Sequence, residues 1–108
     1  MHYSVVMTAN AKGNLRAAYR RAAKHAPNAA GRWLAKFEAA LDSLSDNPER
    51  CTLAPESDSV KHEVRQLSFG KPWRVYRVLF TINQDRVIVL HIRWGAMDLA
   101  SESELFGQ

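Results

Sequence analysis

The stretch from Trp73 to Gly95 constrains the fold more than any other part of the chain. Two runs rich in β-branched and aromatic residues flank the polar segment Asn83-Gln84-Asp85, the pattern of a β-hairpin. With those three residues as the turn, Ile82 lies opposite Arg86, and Asn or Asp takes the left-handed position such loops need. Counting outward pairs Phe80 with Ile88, Val78 with Leu90 and Tyr76 with Ile92 on one wholly apolar face, because side chains alternate along a strand. The opposite face pairs Thr81 with Val87, Leu79 with Val89, Arg77 with His91 and Val75 with Arg93. A slip of one residue would scatter the apolar set over both faces, which favours this register.

The second face therefore carries Arg77, His91 and Arg93 among aliphatics. A guanidinium buried without a partner is costly, so Arg77 is the first residue to ask about. One reading is a shallow cationic site on a rigid floor, suited to a phosphate backbone or an acidic peptide. The other pairs Arg77 with Glu63 on the neighbouring strand while its stem covers aliphatics. Beside Arg77 the His91 pKa should fall, leaving a neutral ring able to accept a proton. Trp73 and Trp94, at the ends of the sheet, serve either as rim packing or as stacking platforms for bases.

Upstream, Tyr3 to Met7 reads as a strand, and Thr8 or Asn10 offers a side-chain oxygen to cap a helix from about Ala11 to His25. Leu15, Ala18, Tyr19 and Ala22 form its apolar face, and Lys12, Arg16, Arg20, Arg21 and Lys24 occupy much of the rest. Pro27-Asn28 breaks the chain before a second helix, about Ala29 to Ser45, with Trp33, Phe37, Leu41 and Leu44 on one stripe. So short a joint makes the two an antiparallel hairpin. A polar loop, Glu49 to Ser59, precedes a strand from Val60 to Phe69 and a turn at Gly70-Lys71-Pro72. The acidic tail, Asp98 to Phe106, can dock as a short helix. The order is β-α-α-β-β-β in a single domain over residues 1–108, an α+β fold with helices packed on a mainly antiparallel sheet.

The net charge of +4 and pI near 9.6 lean toward anionic partners. From Lys61 to Met97 the cations Lys61, Arg65, Lys71, Arg74, Arg77, Arg86 and Arg93 face only Glu63 and Asp85, so the surplus is assigned to the sheet. A single cysteine, Cys51, and four scattered histidines make no zinc pattern, and five dispersed glycines make no phosphate-cradling loop. No cofactor or metal is expected. No leader or spanning segment is legible, which places the chain in the reducing cytoplasm.

In Val64 to Gly70, Tyr76 to Phe80 and Val89 to Gly95 the chain resembles the RelE/ParE superfamily of toxins from bacterial type II toxin–antitoxin systems. The resemblance covers nearly the whole length. It implies growth inhibition by one of two routes: ribosome-dependent mRNA cleavage, or inhibition of DNA gyrase without hydrolysis. For a nuclease, Arg77 matches the arginine that holds the scissile phosphate, His91 is the candidate proton carrier, and Arg65, Lys71, Arg74 and Arg93 are candidates to bind RNA or another target. On that reading Arg77→Ala keeps the fold and abolishes activity. After the last strand, where relatives often carry a catalytic histidine, tyrosine or arginine, this chain has Trp94-Gly95-Ala96-Met97, which shifts weight toward gyrase or a degenerate toxin. The resemblance also implies a cognate antitoxin, laid over the basic sheet or added at a strand edge, with operator DNA reached only through it. The alternative is a non-toxic basic module that binds an acidic protein or RNA.

Overall fold

The computed structural model describes residues 2–71 and 74–107. Its elements are β1 (Ser4–Met7), α1 (Ala9–His25), α2 (Pro27–Asp42), β2 (Arg65–Lys71), β3 (Arg74–Asn83), β4 (Arg86–Trp94) and α3 (Glu102–Phe106). The strands form one sheet in the order β1-β4-β3-β2, with β1 parallel to β4 and the other pairs antiparallel. The α+β fold is as expected, and the parallel edge strand is what the helical crossover permits. Pro72 and Trp73, on which the expected turn and one stacking residue fall, lie outside the described residues.

Local chemistry sets the helix ends. Thr8 caps α1, its Oγ1 accepting from the Ala11 N–H at 3.1 Å, and Lys24 and His25 occupy the last turn, near the negative end of the dipole. Pro27 begins α2 rather than interrupting it, because the first helical position needs no N–H. Its α-helical turns stop at Asp42, and Ser43–Ser45 tighten into a 3-10 turn. Phe37, Leu41 and Leu44 then pack with Ala11 and Ala18 against Tyr76, Val78, Phe80, Val87, Val89 and Ile92. Trp33 meets the Phe37 ring edge-on, centroids 5.3 Å apart.

The hairpin departs from the expected register twice. Its loop has two residues, Gln84-Asp85, so Asn83 faces Arg86 and Ile82 faces Val87, and Gln84 rather than Asn or Asp takes the positive φ of 58°. Farther out, Phe80 pairs with Val89 but Leu79 with His91, a β-bulge that leaves Leu90 as the extra residue. Val87 and Val89 thus face the helices, whereas Ile88 and Leu90 face away from them. Past the bulge, Arg77 faces Arg93 and Val78 faces Ile92. Arg77, His91 and Arg93 keep the common face expected of them, with partners changed.

Around Leu79 and Leu90 that second face is covered, and a recess lined by Gln66, Ser68, Val75 and Arg77 remains beside them. Leu79 and Leu90 pack there with Val64, Ala54, Ala100 and Leu105, so the loop before β2 and the tail with α3 build a second apolar layer. The strand expected from Val60 starts only at Arg65, because Pro55–Ser59 turn as a 3-10 helix and bring the loop across the sheet. α1 closes the remaining edge of β4: Thr8 Oγ1 donates to the Leu90 carbonyl at 3.1 Å, and Asn14 Oδ1 accepts from the Ile92 N–H at 3.0 Å.

Thr8 therefore satisfies the helix start and the bulge together. Thr8→Ala should cost about 0.5–2 kcal/mol, the range for a lost N-cap, read as a lower urea midpoint at unchanged m value. An unchanged midpoint would show that water serves both groups equally well.

Candidate functional site

Arg77 lies mid-strand in β3, only 8% exposed, and four of its five guanidinium N–H groups are engaged. Its Nη1 donates to Glu56 Oε2 at 2.9 Å and its Nη2 to Glu56 Oε1 at 2.5 Å, a bidentate fork. Gln66 Oε1 accepts from Nε at 3.0 Å and from Nη2 at 2.9 Å. Glu56 comes from the loop rather than from β2, is fully enclosed, and also accepts the Ala100 N–H at 2.9 Å. One carboxylate thus ties the loop, β3 and the tail together. Glu63, the expected partner, is exposed and lies 3.7 Å from Arg65 instead.

The second arginine repeats the arrangement. Arg93 Nη1 donates to Glu104 Oε2 at 2.8 Å and its Nε to the Asp98 carbonyl at 2.7 Å. Glu104 is held by a capping box, accepting the Ser101 N–H while Ser101 Oγ accepts the Glu104 N–H. His91 Nε2 sits 3.2 Å from Arg93 Nη1, and its buried Nδ1 has no hydrogen-bond partner among the described residues. The three basic groups expected to face an anion are covered by this chain's own acidic loop and tail.

Electrostatics follow from that geometry. Burial pushes the Glu56 carboxyl upward, but the bonds from Arg77 and Ala100 and the Arg77 charge outweigh it and hold the group below its ordinary value. The hydrogen bond from Arg93, with the Ser101 N–H, lowers Glu104 to about 2. Burial, and then the Arg93 charge, lowers His91. The direction is the one expected, but Arg77 is not its cause.

The other candidates do not converge. Arg65 opens β2 and donates to the Cys51 carbonyl at 2.7 Å, whereas Lys71 and Arg74 pair at the far end of the β2–β3 ladder. Six residues of strand put roughly 20 Å between those ends. Arg74 borders a cavity of about 180 Å³ with Arg21, Trp33, Tyr76 and Trp94, where Arg21 donates to the Tyr76 hydroxyl at 2.8 Å. Trp94, Met97 and Leu99 stand 41%, 52% and 54% exposed, an apolar rim beyond the end of β4. Cys51 is buried in the main core, and burial raises its thiol pKa, the opposite of activation. No described helix is long and apolar enough to cross a membrane.

Sequence reasoning missed Glu56, Gln66 and Glu104. Only Glu104 carried a signal, the Ser101-x-x-Glu104 spacing of a capping box.

Arg77→Ala should destabilise the fold by about 3–5 kcal/mol, because it strands a buried carboxylate. Equilibrium unfolding with native circular dichroism would measure it, and a loss below 1 kcal/mol would rule out a structural pair. Stability should also fall with acidification in two stages. A histidine depressed on folding favours the native state above its unfolded value of 6.5 and loses that contribution as pH drops below it. The lowered carboxylates do the same from about 4.5 downward, through about 2 for Glu104. Urea midpoints between pH 8 and pH 3 should decline through both windows, and Glu104→Gln should flatten the lower one.

Residues 5–99 match the family model described as "ParE toxin of type II toxin-antitoxin system, parDE". Among solved structures the chain is similar to one described as "Chromosomal ParDE TA system from P. aeruginosa". The TM-score is 0.68 at 19% identity, covering 86% of this chain and 96% of that one. No curated protein matches. With the match spanning both helices, all four strands and the linking loop, the chain belongs to the ParE toxin family and is the toxin component of a type II toxin–antitoxin system.

Proposed function

We propose that this toxin arrests growth by binding and inhibiting DNA gyrase, without cleaving RNA, and that a cognate antitoxin neutralises it. The observation that carries this reading is the bidentate hold of Glu56 on Arg77. Cleavage at a ribose 2′-hydroxyl needs a base, free positive charge for the pentacoordinate phosphate and an acid for the leaving oxygen. Arg77 and Arg93 spend their charge on Glu56 and Glu104, and His91 is enclosed beside Arg93. In this reading these three residues maintain the fold. Arg65 stands at the opposite end of the β2–β3 ladder from Lys71 and Arg74, so the three do not converge on one phosphate.

The exposed part of the molecule supports binding instead. Trp94, Met97 and Leu99 form an apolar rim next to Arg74 and Arg21, the mixture of aromatic, Met and Arg that protein interfaces concentrate. The same stretch holds the positions where nucleolytic relatives carry polar groups. An antitoxin meeting this chain finds the central sheet face already covered, which leaves helix faces, the apolar rim and strand edges for contact.

A short pulse of expression should stop growth while the 5′ ends of cellular RNA stay unchanged. The purified chain should inhibit supercoiling by gyrase, and added antitoxin should restore it. New ends within translated messages would overturn the proposal in favour of a nuclease, and absence of arrest would favour a degenerate module.

A further inference from the structure

A second run of cations, besides those on the strands, lies on α1. Within Ala9–His25 stand Lys12, Arg16, Arg20, Arg21 and Lys24, with no aspartate or glutamate. Lys12, Arg16, Arg20 and Lys24 recur every fourth residue and are all exposed. None of the four makes a side-chain hydrogen bond or ion pair among the described residues. Arg21, off this line, is turned to the Tyr76 hydroxyl.

Helix geometry makes the four a ridge. Successive members rise about 6 Å and turn about 40°, so the set runs about 18 Å and fans over about 120° of the surface. Its centre lies opposite the buried positions Ala11 and Ala18. Gly13, Ala17, Tyr19 and Ala23 flank the cations, and a Cβ on Gly13 would meet nothing within 4 Å. Like charges at i and i+4 repel and weaken a helix. Glu38 of α2 lines a pocket with Lys12 and Arg16 but pairs with neither.

We propose that α1 is a nucleic-acid-binding face whose ligand is the phosphate backbone of duplex DNA. Charge complementarity identifies a polyanion, and the residues between the cations narrow it further. A protein partner needs buried aromatic or apolar anchors, and along this ridge only Tyr19, half-buried beside Lys12 and Arg16, is of that kind. A membrane surface needs the helix's apolar side, which is sealed in the core by Ala11, Ala18 and Leu15. The B-form major groove, about 12 Å wide, admits an α-helix, and a fan of about 120° turns cations toward both of its phosphate walls. The A-form major groove of RNA is too narrow to admit it. Backbone contacts of this kind carry no sequence preference. The inference is independent of the gyrase reading, since none of the four cations lines the recesses that hold Trp94 and Met97 and its ligand needs no enzyme present.

The test is fluorescence anisotropy of a labelled mixed-sequence duplex of about 20 base pairs, titrated with the full chain at several salt concentrations. Four phosphate contacts give a log–log salt slope of about −3.6, hence about a 150-fold loss of affinity from 50 to 200 mM salt. Arg16→Gln with Arg20→Gln should halve the slope to about −1.8, about a 12-fold loss over the same range. The melting temperature should hold or rise, since repulsion is relieved. Lys61→Gln with Arg86→Gln removes the same charge from exposed positions elsewhere and should leave the slope unchanged. Equal effects of the two double variants would reduce the binding to net charge and overturn the proposal. So would no binding at 50 mM salt, or tighter binding to a duplex RNA of the same length.

Discussion

The enclosed ion pair between Glu56 and Arg77 sets the terms for the rest of the structure. Two opposite charges inside a protein recover their desolvation cost only when geometry and additional hydrogen bonds are good. Here the guanidinium fork meets both carboxylate oxygens, Gln66 takes two further donors, and the Ala100 N–H fills another acceptor position. Each of those partners sits on a different segment. The loop, β2, β3 and the tail must therefore all be in place for the pair to be tolerable, and once there they cover Leu79 and Leu90. Specificity of arrangement, more than net stability, is what such a pair contributes.

The bulge at Leu90 plays a comparable part at the opposite edge. An extra residue in β4 interrupts the ladder and leaves backbone groups without strand partners. Thr8 and Asn14 reach from α1 to the Leu90 carbonyl and the Ile92 N–H. The helix is thereby fixed across β4 where β1 ends, and its cationic ridge points away from the sheet. The bulge also puts His91 and Arg93 on the face where Glu104 can reach them.

Much of this was legible in the residues. Thr8 was one of two caps the residues offered for the helix start, the apolar stripe from Phe37 to Leu44 announced the face that packs, and the common face of Arg77, His91 and Arg93 followed from strand alternation. The register did not follow. A two-residue loop with Gln84 at positive φ contradicts residue preference, and a bulge leaves no mark on an apolar pattern when Val89 and Leu90 serve either face equally well. The reading of charge missed the partners of Arg77 and Arg93 for a different reason. Counting cations between Lys61 and Met97 treats sequence neighbours as spatial neighbours, whereas the neutralising carboxylates came from positions 56 and 104. Loop carboxylates resemble solvated ones until the chain has folded around them.

The parallel pairing of β1 with β4 joins Ser4 to Arg86 and Met7 to Val89. Most of the chain separates these partners, so their meeting must close a very long loop before it is rewarded by contacts. A ribosome that has already made both helices, β2 and β3 has still not supplied the strand that sits between β1 and β3. Prematurely released products therefore lack the middle of the sheet, the Arg93 anchor for the tail and the apolar rim after Trp94. For a toxin, assembly of this sheet waits on β4, and translation interrupted before that strand yields fragments with no completed sheet.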